Sequence, residues 1–126
     1  MPKVLIADDS RFQRETLASF LLPKKFEVVF AVDALQTFMV ALRSTPDLIL
    51  LDINMPGGTG IEVLKRLRGS NKTQQIPVIV VSGDEKFTTE TMARELGAVD
   101  FLHKPVDEQR LIDSINRVLG IQVNAH

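Results

Sequence analysis

The stretch LILLDINMPGGTG, residues 48–60, passes from a continuous apolar run to a single acid and then to a loop rich in proline and glycine. An uninterrupted run of leucine and isoleucine is typical of a parallel strand that is buried on both faces. Asp52 stands where this strand is expected to end. It is either the polar end of a buried strand or the reactive group of the protein.

Four more short apolar runs occur along the chain, rich in β-branched or aromatic residues as strands are. A segment with helical spacing follows each of the five runs. A chain in which strands and helices alternate in this way forms a parallel sheet with helices on both faces. We therefore predict a three-layer, flavodoxin-like (βα)5 domain of the α/β class with strand order 2-1-3-4-5. The predicted strands are residues 4–7, 26–31, 48–51, 78–81 and 99–102.

The composition is that of an ordinary globular chain: 126 residues, 44% hydrophobic and 25% charged. We expect one domain over residues 1–120 and a short C-terminal tail over 121–126. With 15 basic and 16 acidic residues the net charge is −1, which argues against a nucleic-acid-binding surface. The absence of cysteine excludes disulfides and thiolate metal sites. No signal peptide or membrane-spanning run is visible, so a cytoplasmic location without membrane contact is expected.

Polar side chains follow four of the five predicted strands, and the carboxyl ends of parallel strands meet at one edge of the sheet. Asp8 and Asp9 follow the first strand, Ser82 the fourth and Lys104 the fifth. In the predicted order, the first and fourth strands flank the third at a spacing of about 4.8 Å, which places Asp8, Asp9 and Ser82 beside Asp52. The fifth strand is roughly 10 Å away, a distance that the long side chain of Lys104 can span.

Each of these residues alone has an ordinary explanation as a turn former or helix cap. Their coincidence at neighbouring strand ends favours a shared site. Three carboxylates in one pocket repel each other by about a few kcal/mol per close pair at an effective dielectric constant of about 20. A hard divalent cation relieves this repulsion, and Mg²⁺, with Mn²⁺ as a second candidate, suits a site with few carboxylates. The divalent cation and Lys104 together balance the three negative charges of the carboxylates. A site of this kind favours phosphoryl transfer to Asp52, which gives an aspartyl phosphate.

Four motifs in this sequence resemble those of the receiver domain of two-component response regulators. The resemblance extends over residues 3–119. The motifs are ADDS at 7–10, DINMPGGTG at 52–60, VVSG at 80–83 and FLHKP at 101–105.

The resemblance implies that Asp52 is the phosphoacceptor. By the same resemblance, Asp8, Asp9, Asp52 and the backbone carbonyl of Asn54 would hold Mg²⁺. Ser82 would bind a phosphoryl oxygen.

Lys104 would pair with the phosphoryl group, and the bond between Lys104 and Pro105 would be cis. The resemblance also implies a conformational switch. Ser82 would move toward the phosphoryl group and Phe101 would fill the space it leaves, which changes the surface of the fourth helix, fifth strand and fifth helix. Ordinary strand core is the alternative explanation for Phe101.

Asn54 and Asp84 would tune the lifetime of the phosphate, with solvated loop residues as the alternative. By the same resemblance, Phe12 would be a contact for a histidine-bearing helix bundle, with a place in the helix–sheet core as the alternative.

The implied phosphodonor is a sensor histidine kinase or a histidine phosphotransfer protein, and the implied output is a downstream effector or a fused output domain. We expect a monomer or a phosphorylation-dependent dimer that catalyses only its own phosphorylation and dephosphorylation. One alternative is an aspartate-nucleophile phosphatase of the haloacid dehalogenase type, which uses a similar set of Asp, Ser or Thr, and Lys. That class has a second Asp two residues after the nucleophile, where this chain has Asn54. Another alternative is a binding module that works without phosphorylation.

Overall fold

The computed structural model of the protein describes residues 1–55, 59–83 and 87–124, with the side chain of Phe87 left out. Within these residues, five strands alternate with five α-helices, and a short 3-10 helix follows the first of them. The elements are β1 (Lys3–Ala7), α1 (Arg11–Leu21), the 3-10 helix (Leu22–Lys24), β2 (Glu27–Ala31), α2 (Ala34–Ser44), β3 (Leu48–Asp52), α3 (Gly60–Arg68), β4 (Val78–Ser82), α4 (Phe87–Glu95), β5 (Asp100–His103) and α5 (Glu108–Leu119).

The five strands form one parallel sheet in the order β2-β1-β3-β4-β5, which confirms the predicted fold. β3 lies at the centre, and its five residues are all buried. Strand pairing extends one residue beyond the apolar runs, so that β3 includes Asp52 and β4 includes Ser82. A prediction based on hydrophobicity ends these two strands one residue too early because main-chain hydrogen bonding continues through Asp52 and Ser82.

Alternate residues of the strands build two separate cores, one on each face of the sheet. α2, α3 and α4 cover one face, and α1 and α5 cover the other. The strand residues of the first core include Leu5, Ala7, Ile49, Leu51, Val78 and Val80, and those of the second include Val4, Ile6, Leu48, Leu50, Ile79 and Val81. Because both faces are covered, polar groups of the central strands reach solvent only at the strand ends.

Side-chain caps fix where the helices begin. The side chains of Ser10, Asp33, Thr59 and Asp107 each accept a hydrogen bond from the main-chain amide three residues later. At the other end of α5, Gly120 adopts a φ of 68°, the left-handed conformation that favours glycine at this position. The caps of α1 and α2 begin these helices within four residues of the ends of β1 and β2, so the turns there are short.

The residues after Gly120 pack onto the domain. The side-chain amide of Asn116 donates to the carbonyl of Val123 at 2.7 Å, and its oxygen accepts from the Val123 amide at 3.0 Å. Ile121 and Val123 pack against the core beneath α1 and α5. This part of the tail therefore contributes to the packing of the domain.

Gly60 begins α3 directly against the end of β3. Its amide donates to the carbonyl of Ile53 at 2.7 Å. A Cβ atom at this position would lie 2.6 Å from Ile53 Cα and 2.7 Å from the carbonyl oxygen of Asp52. Since both neighbours are backbone atoms, a side chain here displaces the segment that carries Asp52.

We expect Gly60→Ala to destabilise the fold by about 1–3 kcal/mol, the usual cost of forcing extra volume into a packed region. This cost outweighs the gain of about 1 kcal/mol that alanine brings to a helix. The measurement is urea unfolding. Gly69→Ala is the matched control, because a Cβ there lies 3.4 Å from its nearest neighbour. Equal stability changes in the two variants would contradict the close-packing explanation.

Candidate functional site

Three carboxylates converge at the carboxyl edge of the sheet. One oxygen from each of Asp8, Asp9 and Asp52 lies within 4.8 Å of the others. Asp8 and Asp52 are 1% and 4% exposed, whereas Asp9 is exposed. The convergence follows from the sheet, because β1 and β3 are paired neighbours and the acids stand at their ends.

Asp8 is held at several of its atoms. Its amide donates to the carbonyl of Ala31 at 3.1 Å, and its Oδ1 accepts from the amide of Ser10 at 2.9 Å. Its Oδ2 is buried and accepts no hydrogen bond from any described residue. Lys104 Nζ lies 3.0 Å from this oxygen, so the pair is an ion pair without hydrogen-bond alignment. The oxygen thus keeps coordination capacity that the described residues leave unused.

Lys104 reaches the acids from the outer strand of the sheet. Its ammonium lies 3.0 Å from Asp8 Oδ2 and 3.5 Å from Asp52 Oδ1. Its amide donates to the carbonyl of Ser82 at 2.9 Å, and the bond to Pro105 is cis. The long side chain therefore spans the interval that the strand order requires, and it is the cation paired with both buried carboxylates in the described chain.

Asp52 is a buried carboxyl group with an altered proton affinity. Burial raises its pKa from the ordinary 3.8 to about 6. The amide of Asn54, which donates to Asp52 Oδ1 at 3.2 Å, works against this rise. The charge of Asp8 raises the pKa further, and Lys104 lowers it. The single positive charge of Lys104 therefore does not offset the effects of burial and of the Asp8 charge on Asp52.

The remaining predicted residues surround this cluster. Ser82 is fully buried at the end of β4, next to β3, and the side chain of Asn54 is exposed in the loop after Asp52. Phe101 is 6% exposed and belongs to the core beneath α2, α3 and α4. Its ring lies edge-on to that of His103, with 5.2 Å between centroids.

Two expectations have different outcomes. Asp84 lies outside the described residues. Phe12 is 77% exposed, so the interpretation of Phe12 as core is wrong and only the contact interpretation stays open. The first turn of α1 directs this side chain to solvent while Leu17, Ala18 and Leu21 cover the sheet.

The donor set fits a hard divalent cation. Asp8, Asp9 and Asp52 offer oxygen ligands only, and Mg²⁺ and Mn²⁺ prefer such ligands. The buried Asp8 Oδ2 and the raised pKa of Asp52 both indicate an excess of negative charge that a dication would offset.

Two sets of side-chain contacts around the site could not be predicted from the sequence. Arg14, on α1, donates from Nη1 to the main-chain carbonyl of Asp8 at 2.8 Å. Asp100, at the start of β5, accepts from Ser114 Oγ and Arg117 Nη2, both at 2.6 Å, and Arg94 Nη2 lies 3.5 Å away. Burial alone would raise the pKa of Asp100, but the hydrogen bonds from Ser114 and the Phe101 amide, together with the charge and hydrogen bond of Arg117, lower it. This network joins α4, β5 and α5.

Comparison with known proteins gives a consistent result. The family model described as response regulator receiver domain matches residues 4–116. Protein PilH of Pseudomonas aeruginosa is 35% identical over 120 residues, which cover 95% of this chain and 99% of PilH. Response regulator PleD of Caulobacter vibrioides is 34% identical over 109 residues, 86% of this chain but only 24% of PleD. The chain thus matches the whole of one relative and a quarter of another.

The fold agrees with solved structures as well. The chemotaxis protein CheY4 of Vibrio cholerae superposes with a TM-score of 0.87 at 29% identity, over 94% of this chain and 98% of CheY4. The match to the receiver family gives the phosphatase alternative no support. In the part of the chain that the structure describes, no helix is long and apolar enough to cross a membrane.

The raised pKa of Asp52 predicts a pH-dependent stability in the absence of metal. The folded carboxyl binds its proton more tightly than the unfolded one, so stability falls as pH rises from about 4 to about 6. The asparagine side chain of the Asp52→Asn variant carries no charge at any pH. With a chelator present, we expect the stability of Asp52→Asn relative to wild type to increase by about 2 kcal/mol between about pH 4 and pH 8.

Urea unfolding at several pH values measures this change. Asp113→Asn, which removes an exposed carboxylate from α5, gives the baseline for losing one charge. A stability difference between Asp52→Asn and wild type that is constant with pH would show that burial does not perturb Asp52.

Proposed function

The chain belongs to the response regulator receiver domain family, and from this premise we propose that Asp52 is its phosphoacceptor. The observation that carries the proposal is the position of the Asp52 carboxylate. It is buried beside Asp8 and Asp9 and lies 3.5 Å from the ammonium of Lys104. Receiver domains act in two-component signalling, and this arrangement of acids and base suits the acceptance of a phosphoryl group.

We propose that a divalent cation, Mg²⁺ or Mn²⁺, is held by Asp8, Asp9, Asp52 and the backbone carbonyl of Asn54. When bound, the cation would offset carboxylate charge and polarise the phosphoryl oxygens. The shortage of positive charge around Asp52 supports this assignment, and so does Asp8 Oδ2, which is buried and accepts no hydrogen bond from a described residue.

In the proposed reaction an oxygen of the Asp52 carboxylate attacks the phosphorus of a phosphohistidine. The new P–O bond forms as the P–N bond breaks, and the imidazole nitrogen keeps the electron pair. The ammonium of Lys104 pairs with a phosphoryl oxygen and so leaves its contacts with the free carboxylates. The hydroxyl of Ser82 donates to another phosphoryl oxygen. These groups act by position and charge, which is most of what phosphoryl transfer requires of a protein.

The phosphoryl group would then alter the surface formed by α4, β5 and α5. Movement of Ser82 toward the phosphoryl oxygens leaves space at the end of β4, and the ring of Phe101 turns into it. Phe101 starts from a buried position on the neighbouring strand, which supports this proposal. Asn54 and Asp84 would tune the lifetime of the phosphate through their access to attacking water.

We also propose the wider context of this chemistry. The phosphodonor is a sensor histidine kinase or a histidine phosphotransfer protein in the cytoplasm, and the output is an effector protein or a fused domain. Residues 1–120 act as the receiver and 121–126 as a short tail. The domain is a monomer or a phosphorylation-dependent dimer, and it catalyses only its own phosphorylation and dephosphorylation. It contacts neither nucleic acid nor membrane directly.

Intact-mass measurement tests the phosphoacceptor. After incubation with Mg²⁺ and acetyl phosphate, we expect wild type to gain one phosphoryl group. Asp52→Asn should gain none because the nucleophile is lost, and a chelator should suppress the adduct on wild type. Asp113→Asn is the control, since it removes an exposed acid of α5 that does not belong to the acidic cluster, and it should react like wild type.

An adduct of equal yield on Asp52→Asn would overturn the assignment of the acceptor. The absence of an adduct on wild type with every phosphodonor would favour a binding module that works without phosphorylation.

A further inference from the structure

Arg14 contacts the acidic cluster through the main chain. It lies in α1, and its Nη1 donates to the carbonyl oxygen of Asp8 at 2.8 Å. This carbonyl belongs to the peptide that joins Asp8 to Asp9. We propose that Arg14 is a positioning residue that fixes this peptide and so holds the Asp9 carboxylate in place for the cation. This inference rests on the proposed cation site.

Asp9 needs such support more than its neighbours do. Asp8 is buried and bonded at its amide and its side chain, and Asp52 is buried in the central strand. The carboxylate of Asp9, by contrast, is exposed and forms no hydrogen bond or ion pair with any described residue. Its direction therefore depends on the backbone that carries it.

Both peptides that flank the Cα atom of Asp9 are held by side chains. Arg14 binds the carbonyl of the Asp8–Asp9 peptide, and Asp8 Oδ1 binds the amide of Ser10 in the next peptide. Because the planes of these two peptides are fixed, the Cα–Cβ bond of Asp9 points in one direction, toward the carboxylates of Asp8 and Asp52. Without Arg14, the first plane is free to rotate and the Asp9 carboxylate loses its preferred orientation.

The sign of the effect separates positioning from simple electrostatics. A positive charge near a cation site opposes cation binding, so removal of an Arg14 that acts only by its charge strengthens Mg²⁺ binding. Removal of an Arg14 that positions Asp9 weakens it. Groups that orient a metal ligand typically change metal affinity by about 10–100-fold when they are lost.

Isothermal titration calorimetry with Mg²⁺ on the full chain makes the test. We expect Arg14→Met to weaken Mg²⁺ binding about 10-fold, and Arg14→Lys, which retains a donor and the charge, to recover part of the loss. Arg11→Met is the matched control. Arg11 lies in the same turn of α1 and is exposed, and its Nε pairs with Glu15 at 2.8 Å.

Phosphorylation by acetyl phosphate provides a second measurement. Because Asp52, Ser82 and Lys104 are unchanged, the rate for Arg14→Met should be low at limiting Mg²⁺ and return to the wild-type rate at saturating Mg²⁺. If Arg14→Met does not fold, Arg14→Gln takes its place, since it is neutral and its shorter side chain reaches the carbonyl poorly.

If Arg14→Met, or Arg14→Gln in its place, binds Mg²⁺ as tightly as wild type or more tightly, the positioning role is overturned, whatever the stability of the variant. A rate deficit that persists at saturating Mg²⁺ would overturn it too. Failure of the cation site itself gives a different result, because wild type would then bind no Mg²⁺.

Discussion

The burial of two carboxylates beside each other is the constraint on which this site depends. Asp8 and Asp52 stand on neighbouring strands, and the ammonium of Lys104 lies between them. Burial, with a smaller contribution from the charge of Asp8, opposes the ionisation of Asp52 and raises its pKa to about 6. The fold tolerates this because the carboxyl ends of β1 and β3 are fixed side by side in a sheet that is covered on both faces.

That tolerance gives the site its chemical character. On the proposed function, this pocket, which is short of positive charge, takes up a cation and with it accepts an anionic phosphoryl group. The strands supply the rigid positions, whereas the short loops after β1 and β3 supply the backbone groups. Gly60 lets α3 pack directly against the loop after Asp52, and the contact of Arg14 with Asp8 fixes the loop after β1. The precision of the site thus comes from packing just outside it.

The sequence was sufficient for the sheet and for the acids because both follow from strand pattern. An uninterrupted run of leucines predicts the central strand, and parallel order brings Asp8, Asp9 and Lys104 to Asp52. The contact of Arg14 was not predictable, because an arginine on an amphipathic helix is expected to be solvated until its tertiary neighbour is known. The network around Asp100 has the same origin. Its partners lie on α4 and α5, the helices before and after β5, and which of their side chains face Asp100 depends on how these helices pack. Phe12 allowed two interpretations for the opposite reason: an aromatic near a helix start fits core or surface equally well.

The most direct test of the central claim locates the phosphoryl group within the chain. Borohydride reduces an aspartyl phosphate to homoserine, and tandem mass spectrometry of the digested, phosphorylated protein then identifies the altered position. We predict homoserine at position 52 alone, dependent on Mg²⁺. Homoserine at position 8 or 9, or reduction at no aspartate in a protein whose intact mass shows the adduct, would contradict this claim.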